Sequence, residues 1–169
     1  MRRYVWEIPF AQSLKGVPGQ ILNRWQLSGA TTFRSGKLFT PVNQRAPFVG
    51  DRSSTHPDRL ANGNLPEAQR TVGRWFDTSA FVTPSTPRYG NSAANFLEAD
   101  GVANWDIALA KRFRVRGGHY LQFRLEAFNA FNHPTFGVPT YRVGNSAYGV
   151  VSYTENNARD LQLGFKYQF

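Results

Sequence analysis

The last ten residues alternate without a break. Leu161, Leu163, Phe165, Tyr167 and Phe169 share one parity, and Asp160, Gln162, Gly164, Lys166 and Gln168 share the other. Side chains of an extended strand point to opposite faces in turn, so this segment reads as a strand with one apolar and one polar face. At helical spacing the same residues scatter around the axis. The apolar face closes on an aromatic residue, which an edge strand of a soluble sheet seldom does.

The same period runs upstream. Trp105, Ile107, Leu109, Phe113 and Val115 share one face, opposite Asn104, Asp106, Ala108, Ala110, Arg112, Arg114 and Arg116. Lys111 is the misfit on the apolar side, and a long side chain near a strand end can snorkel. Gly117-Gly118 is a hairpin signal, because both positions tolerate positive φ. The return strand carries Leu121, Phe123, Leu125, Ala127 and Phe131 on one face, and Tyr120, Gln122, Arg124 and Glu126, then Phe128 and Ala130 near the far end, on the other. Nearer the amino terminus, Tyr4, Trp6, Ile8 and Phe10 define a strand over 2–10. Gln12 to Gln20 reads as a turn with Gly16, Pro18 and Gly19. A long strand over 21–39 then has Trp25, Leu27, Thr31 and Phe33 on one side.

Composition sharpens this pattern. The 169 residues suit one ordinary soluble domain, and 20 Lys+Arg against 11 Asp+Glu leave +9, which alone invites nucleic acid or an anionic surface. Yet aromatics reach 15%, with 15 Gly and 10 Pro. The mean hydropathy is -0.45, and no apolar run is long enough for a transmembrane helix. Aromatics and turn formers without a hydrophobic block are what short alternating strands produce. The absence of cysteine excludes disulfides and thiolate metal sites. Met1-Arg2-Arg3 is basic, but Glu7 and Pro9 interrupt the apolar residues after it, so no signal peptide is read.

Connections are informative too. From Thr40 to about Val102 no period is sustained, and a compact soluble domain rarely carries so long a structureless loop. Strands over roughly 2–10, 21–39, 103–116, 119–131 and 157–169 are joined by alternately short and long connections, the long ones spanning 40–102 and 132–156. Outer-membrane barrels have this alternation, with short periplasmic turns and long extracellular loops. Five crossings put both short turns and Phe169 on one side, and Tyr148–Tyr153 is read as loop or strand extension. The expected fold is therefore all-β, an antiparallel transmembrane β-barrel fragment.

Several stretches, in order over nearly the whole chain, resemble the carboxyl-terminal part of a TonB-dependent outer-membrane receptor of the Oar-like kind, which carries a carboxypeptidase-regulatory-like domain. They are Asn23–Gly29, Phe33–Thr40, Arg74–Phe81, Asn104–Lys111, Leu121–Gly137 and Ala158–Phe169. Asn95–Gly101 departs from the Gly-Pro-Gly-like turn usual before the Asn-Trp-Asp strand. The resemblance implies a bacterial outer-membrane location, with plug and amino-terminal barrel absent from this sequence. Such receptors have 22 strands and five cannot close a barrel, so Met1 is expected to be an internal methionine or the frame to be truncated. It also implies ligand uptake energised by TonB acting only through that missing region. The expected partners are outer-membrane lipid, the rest of the receptor chain and the barrel assembly machinery, with no nucleic acid.

On this reading Arg112, Arg114, Arg124, Glu126 and Lys166 line a watery lumen, holding a plug or one another. Leu161, Leu163, Phe165, Tyr167 and Phe169 face lipid and form the assembly signal. No catalytic constellation is read, so no enzyme and no cofactor is expected. His56, His119 and His133 are dispersed and lack ligand spacing. Asp51, Asp58, Glu67, Asp77, Glu98 and Asp100 lie in the long loop without a calcium motif, as solvated charges. The tetrapeptide Gly-Asn-Ser-Ala at 90–93 and 144–147 reads as turn chemistry. Two alternatives stand beside the barrel. A nucleic-acid-binding β protein needs aromatics and arginines on one shared face. A β-rich glycosidase fragment needs two converging carboxylates, for which Asp106 and Glu126 are the strand candidates.

Overall fold

A computed structural model describes residues 1–10, 13–45 and 55–169. Gln12, Pro47 and Asp51 lie outside the described residues. In chain order the elements begin β1 (Arg2–Ile8), α1 (Gly16–Leu22), β2 (Trp25–Arg34), β3 (Leu38–Phe39) and β4 (Val42–Asn43). They continue β5 (Asp58–Arg59), β6 (Phe81–Val82), β7 (Leu97–Glu98) and β8 (Val102–Arg114). The last three are β9 (Tyr120–Phe128), β10 (Arg142–Val143) and β11 (Asp160–Gln168). The fold is all-β, and no described helix is long and apolar enough to cross a membrane.

The chain forms two units. The first, Met1–Arg34, Ala103–Pro134 and Asn157–Phe169, is a five-stranded sheet in the order β1-β2-β8-β9-β11. Neighbours follow chain order, as in an up-and-down wall. The pairs β1–β2, β8–β9 and β9–β11 are antiparallel. Register keeps the faces segregated: Leu109 and Leu163 both oppose Leu125, while Ala110 and Gly164 both oppose Arg124. One slipped residue would turn every apolar side chain to the other face. Gly29 sits where only hydrogen fits, since a Cβ there would lie 2.5 Å from the Asp106 carbonyl oxygen and 2.6 Å from the Tyr4 hydroxyl. Between β8 and β9 the turn holds Gly117 at φ 75° and Gly118 at φ 89°, closed by Val115 N–H donating to His119 O at 2.8 Å.

Boundaries of three expected strands are corrected. The expected strand over 21–39 is shorter at both ends. Ile21 and Leu22 end α1, which begins within the stretch read as a turn, and Arg24 at φ 58° delays extension until Trp25. Pro18 is tolerated because first-turn N–H groups need no intrahelical partner. At the far end β2 stops at Arg34, and Leu38–Phe39 pairs with Leu97–Glu98 in a separate sheet. Strand β1 stops at Ile8 and β9 at Phe128, where Asn129 at φ 48° leaves the extended region.

The second unit, Ser35–Val102 with Thr135–Asn156, is made by the two long connections. Its core is Phe39, Trp75, Phe76, Ala80, Phe81, Leu97, Ala99 and Val151, with Leu97 fully buried. Phe76 makes edge contacts with Phe39 at 5.6 Å, Phe81 at 6.1 Å and Tyr148 at 5.2 Å. The Trp75 indole donates to Glu98 O at 3.0 Å, which ties this core to β7. The stretch expected to lack structure thus folds around its own aromatic cluster. Asn95–Gly101, the departure from the receptor motif, supplies Leu97 and Ala99 to it.

Candidate functional site: the two faces of the sheet

The apolar face of the first unit is exposed. On β11, Leu161, Leu163, Phe165 and Tyr167 are each more than half exposed, and Phe169 is 97% exposed. In water this contiguous apolar surface would be a liability. Ring clusters mark both ends of it. Trp105 lies 5.2 Å from both Phe33 and Phe131 near the long connections. Trp25 lies 6.0 Å from Phe123, itself 5.4 Å from Phe165, toward the short turns. Trp25 and Phe33 are eight residues apart on β2. That strand rises about 27 Å over this interval, and a tilt of about 40° leaves about 21 Å, near the apolar band of about 25 Å in outer-membrane barrels.

The polar face carries the charges. Arg112, Arg114, Arg124 and Lys166 are exposed and Glu126 is half-buried. Of these only Arg124 and Glu126 form an ion pair, at 2.8 Å. Arg112 and Lys166 flank Gln122 from opposite sides, since both oppose it in register. Asp106 accepts from Asn129 N–H and from the Asn104 amide, each at 3.0 Å, which anchors the chain as it leaves β9.

A groove of about 420 Å³ opens on this face toward the short turns, bordered by Glu7, Arg24, Arg112 and Arg114, with Lys111 at its wall. A second groove of about 270 Å³ beside α1 shares Arg24, Lys111, Arg112 and Arg114. Lys111 is 2% exposed, its ammonium 5.8 Å from the Trp25 ring and 5.4 Å from the Phe113 ring. It does not snorkel into solvent as expected, because the surrounding rings enclose it. Among the described residues no carboxylate lies within ion-pair distance of Arg24, Lys111, Arg112 or Arg114. Sequence reading missed Glu7 and Arg24; the pairing of Glu7 with Gln26 shows Glu7 on the polar face, a placement available from the alternation of β1.

The loop unit fixes its own charges. Arg88 forks onto both Asp58 oxygens, at 2.8 and 2.6 Å, and this pairing holds the Asp58 carboxyl below the usual carboxylate range. Asp77 caps the turn Thr78–Ala80, accepting from Ser79, and is paired with Arg74 at 3.1 Å; both partners lower its pKa, Ser79 the more. Burial, with Asp77 adding, raises the Tyr148 phenol. His56 bonds Ser92 O at 2.7 Å, while the His119 ring stacks on Tyr167 and bonds its hydroxyl at 2.9 Å. Among the described residues no three His, Asp or Glu side chains are grouped to hold a metal. The repeated tetrapeptide has two conformations: Asn145 closes a side-chain turn onto Ala147, whereas Gly90 and Ser92 donate to His56 and Pro57.

A sheet of meander order, with an exposed apolar face bounded by rings and a charged reverse face, is the wall of a membrane β-barrel. The model of the family described as outer membrane beta barrel domain matches residues 2–162. The chain belongs to that family, and its place is the bacterial outer membrane. No curated protein and no solved structure matches it.

Proposed function

We propose that this chain supplies wall and extracellular loops to a TonB-dependent receptor of the Oar-like kind, which takes up a ligand across the outer membrane. The observation that carries this reading is the division of labour between the units. The two long connections form a cored unit able to present a fixed surface to a ligand, while the sheet turns a charged face to a lumen. The ordered motif stretches point to the same receptor kind.

Partners are inferred on the same basis. Among the described residues β1 pairs only with β2 and β11 only with β9. Lipid cannot satisfy an open edge, so further receptor strands complete the wall. Outer-membrane lipid covers the apolar face. The assembly machinery reads the alternation ending in Phe169, and TonB acts through the amino-terminal plug region. No covalent chemistry is assigned: Glu126 is engaged by Arg124 and Asp106 by Asn129. Most Phe and Leu side chains lie on one face of the sheet and Arg112, Arg114 and Arg124 on the other, which supports a barrel over a nucleic-acid stacking platform.

The test is cross-linking of the full-length gene product to TonB in outer-membrane preparations, together with the reading frame upstream of Met1. A frame continuing into a plug, with a cross-link lost when that region is deleted, is the expected result. A stop codon and ribosome site directly before Met1 would contradict the receptor reading.

A further inference from the structure

The two grooves at the short-turn end hold an imbalance that the wall itself does not explain. Arg24, Arg112 and Arg114 border both, and among the described residues Glu7 is the one carboxylate that borders either. The three guanidinium groups on this face repel one another, whereas Lys111 opposes Phe123 in register and holds its ammonium among the Trp25 and Phe113 rings of the other face. The guanidinium groups meanwhile present fork-shaped donors suited to a tetrahedral or planar oxyanion. Arg24 adds a local signal: its φ of 58° is uncommon for a residue with a side chain, and it breaks the strand just where β2 meets the groove.

We propose that this cluster is an anion-binding site on the lumen face, taking a soluble phosphate group at the short-turn end of the wall. A groove of about 420 Å³ admits a phosphate or a small phosphate ester without displacing the sheet. Arg112 and Arg114 lie two residues apart on the same face of one strand, and Arg24, just before β2, borders the same groove. Glu7 opposes the anion and sets an upper limit on affinity. The site does not depend on how transport is energised.

Binding is measured on the full-length protein in uncharged detergent, by calorimetry and phosphorus NMR line width, with inorganic phosphate as the probe. Saturable binding is expected, weakened about tenfold or more by joint Arg112→Gln and Arg114→Gln. Glu7→Gln is expected to tighten binding several-fold, a gain that misfolding cannot mimic. Arg142→Gln in the other unit should leave binding unchanged. Three results would each overturn the proposal. The first is equal binding by wild type and the double arginine variant, or none by wild type. The second is a response to phosphatidylglycerol micelles without one to inorganic phosphate, which would make this a lipid site. The third is a response to polyglutamate alone, which would make it a dock for an acidic polypeptide.

Discussion

The Arg124 guanidinium donates to the Glu126 carboxylate at 2.8 Å, two residues along the polar face of one strand. Gly164 opposes Arg124 and Gln162 opposes Glu126, so no second charge on β11 competes for either partner. With Arg124 half exposed to water, the pair is expected to be worth less than about 1 kcal/mol. A double-mutant cycle with Arg124→Gln and Glu126→Gln, read by urea unfolding in detergent, should return a coupling of that size. A coupling of several kcal/mol would mean the face is dry rather than a watery lumen.

Close packing of β2 gives a sharper expectation. A Cβ at Gly29 would meet the Asp106 carbonyl oxygen, a backbone atom that cannot swing away. Gly29→Ala should therefore destabilise the sheet by about 1–3 kcal/mol through overpacking. Tyr4→Phe in the same background should not restore stability, because the carbonyl contact remains. Folded yield and unfolding midpoint measure both.

The loop unit rests on Phe76, 1% exposed and in ring contact with Phe39, Phe81 and Tyr148. Phe76→Ala is expected to cost about 3–5 kcal/mol and open the loops to protease. Tyr148→Phe should instead be neutral or stabilising by up to about 1 kcal/mol, because its buried hydroxyl has no hydrogen-bond partner among the described residues. Limited proteolysis of intact cells distinguishes the two outcomes.

Acid should act on the same unit. Asp58 and Asp77 both have lowered pKa values, from Arg88 and from Ser79 with Arg74 respectively. A carboxylate with a depressed folded-state pKa stabilises above its unfolded value and loses that contribution as pH falls through the folded one. Protease resistance of the loops should thus be full at neutral pH and decline as pH drops through and below the ordinary carboxylate range. Arg88→Gln should remove part of the resistance at neutral pH and flatten the decline. A resistance that rises on acidification would contradict the assignment.

Much of the sheet was legible because one repeating rule governs it. Leu161 to Phe169 and Leu121 to Ala127 alternate along their whole length, the period that membrane and lumen impose. The loop unit obeys no such rule. Phe39, Trp75, Phe81 and Leu97 come from separate short segments and meet only in three dimensions. Helix α1 was hidden for a different reason, since Gly16, Pro18 and Gly19 are turn formers that a first helical turn also accepts. The charged groove needed register as well as pattern. Arg24 falls outside β2, and Glu7 is brought opposite Gln26 by the β1–β2 pairing.

The central claim is that the sheet stands in the outer membrane with one face to lipid and the other to water. The chain contains no cysteine, so single cysteines can be introduced along β11 and spin-labelled without background. In the full-length protein reconstituted in bilayers, labels at Leu161, Leu163, Phe165 and Tyr167 should be relaxed by dissolved oxygen. Labels at Gln162, Gly164 and Lys166 should be relaxed by a water-soluble nickel chelate, giving a period of two. Uniform access of the nickel chelate to both sets would contradict the barrel wall.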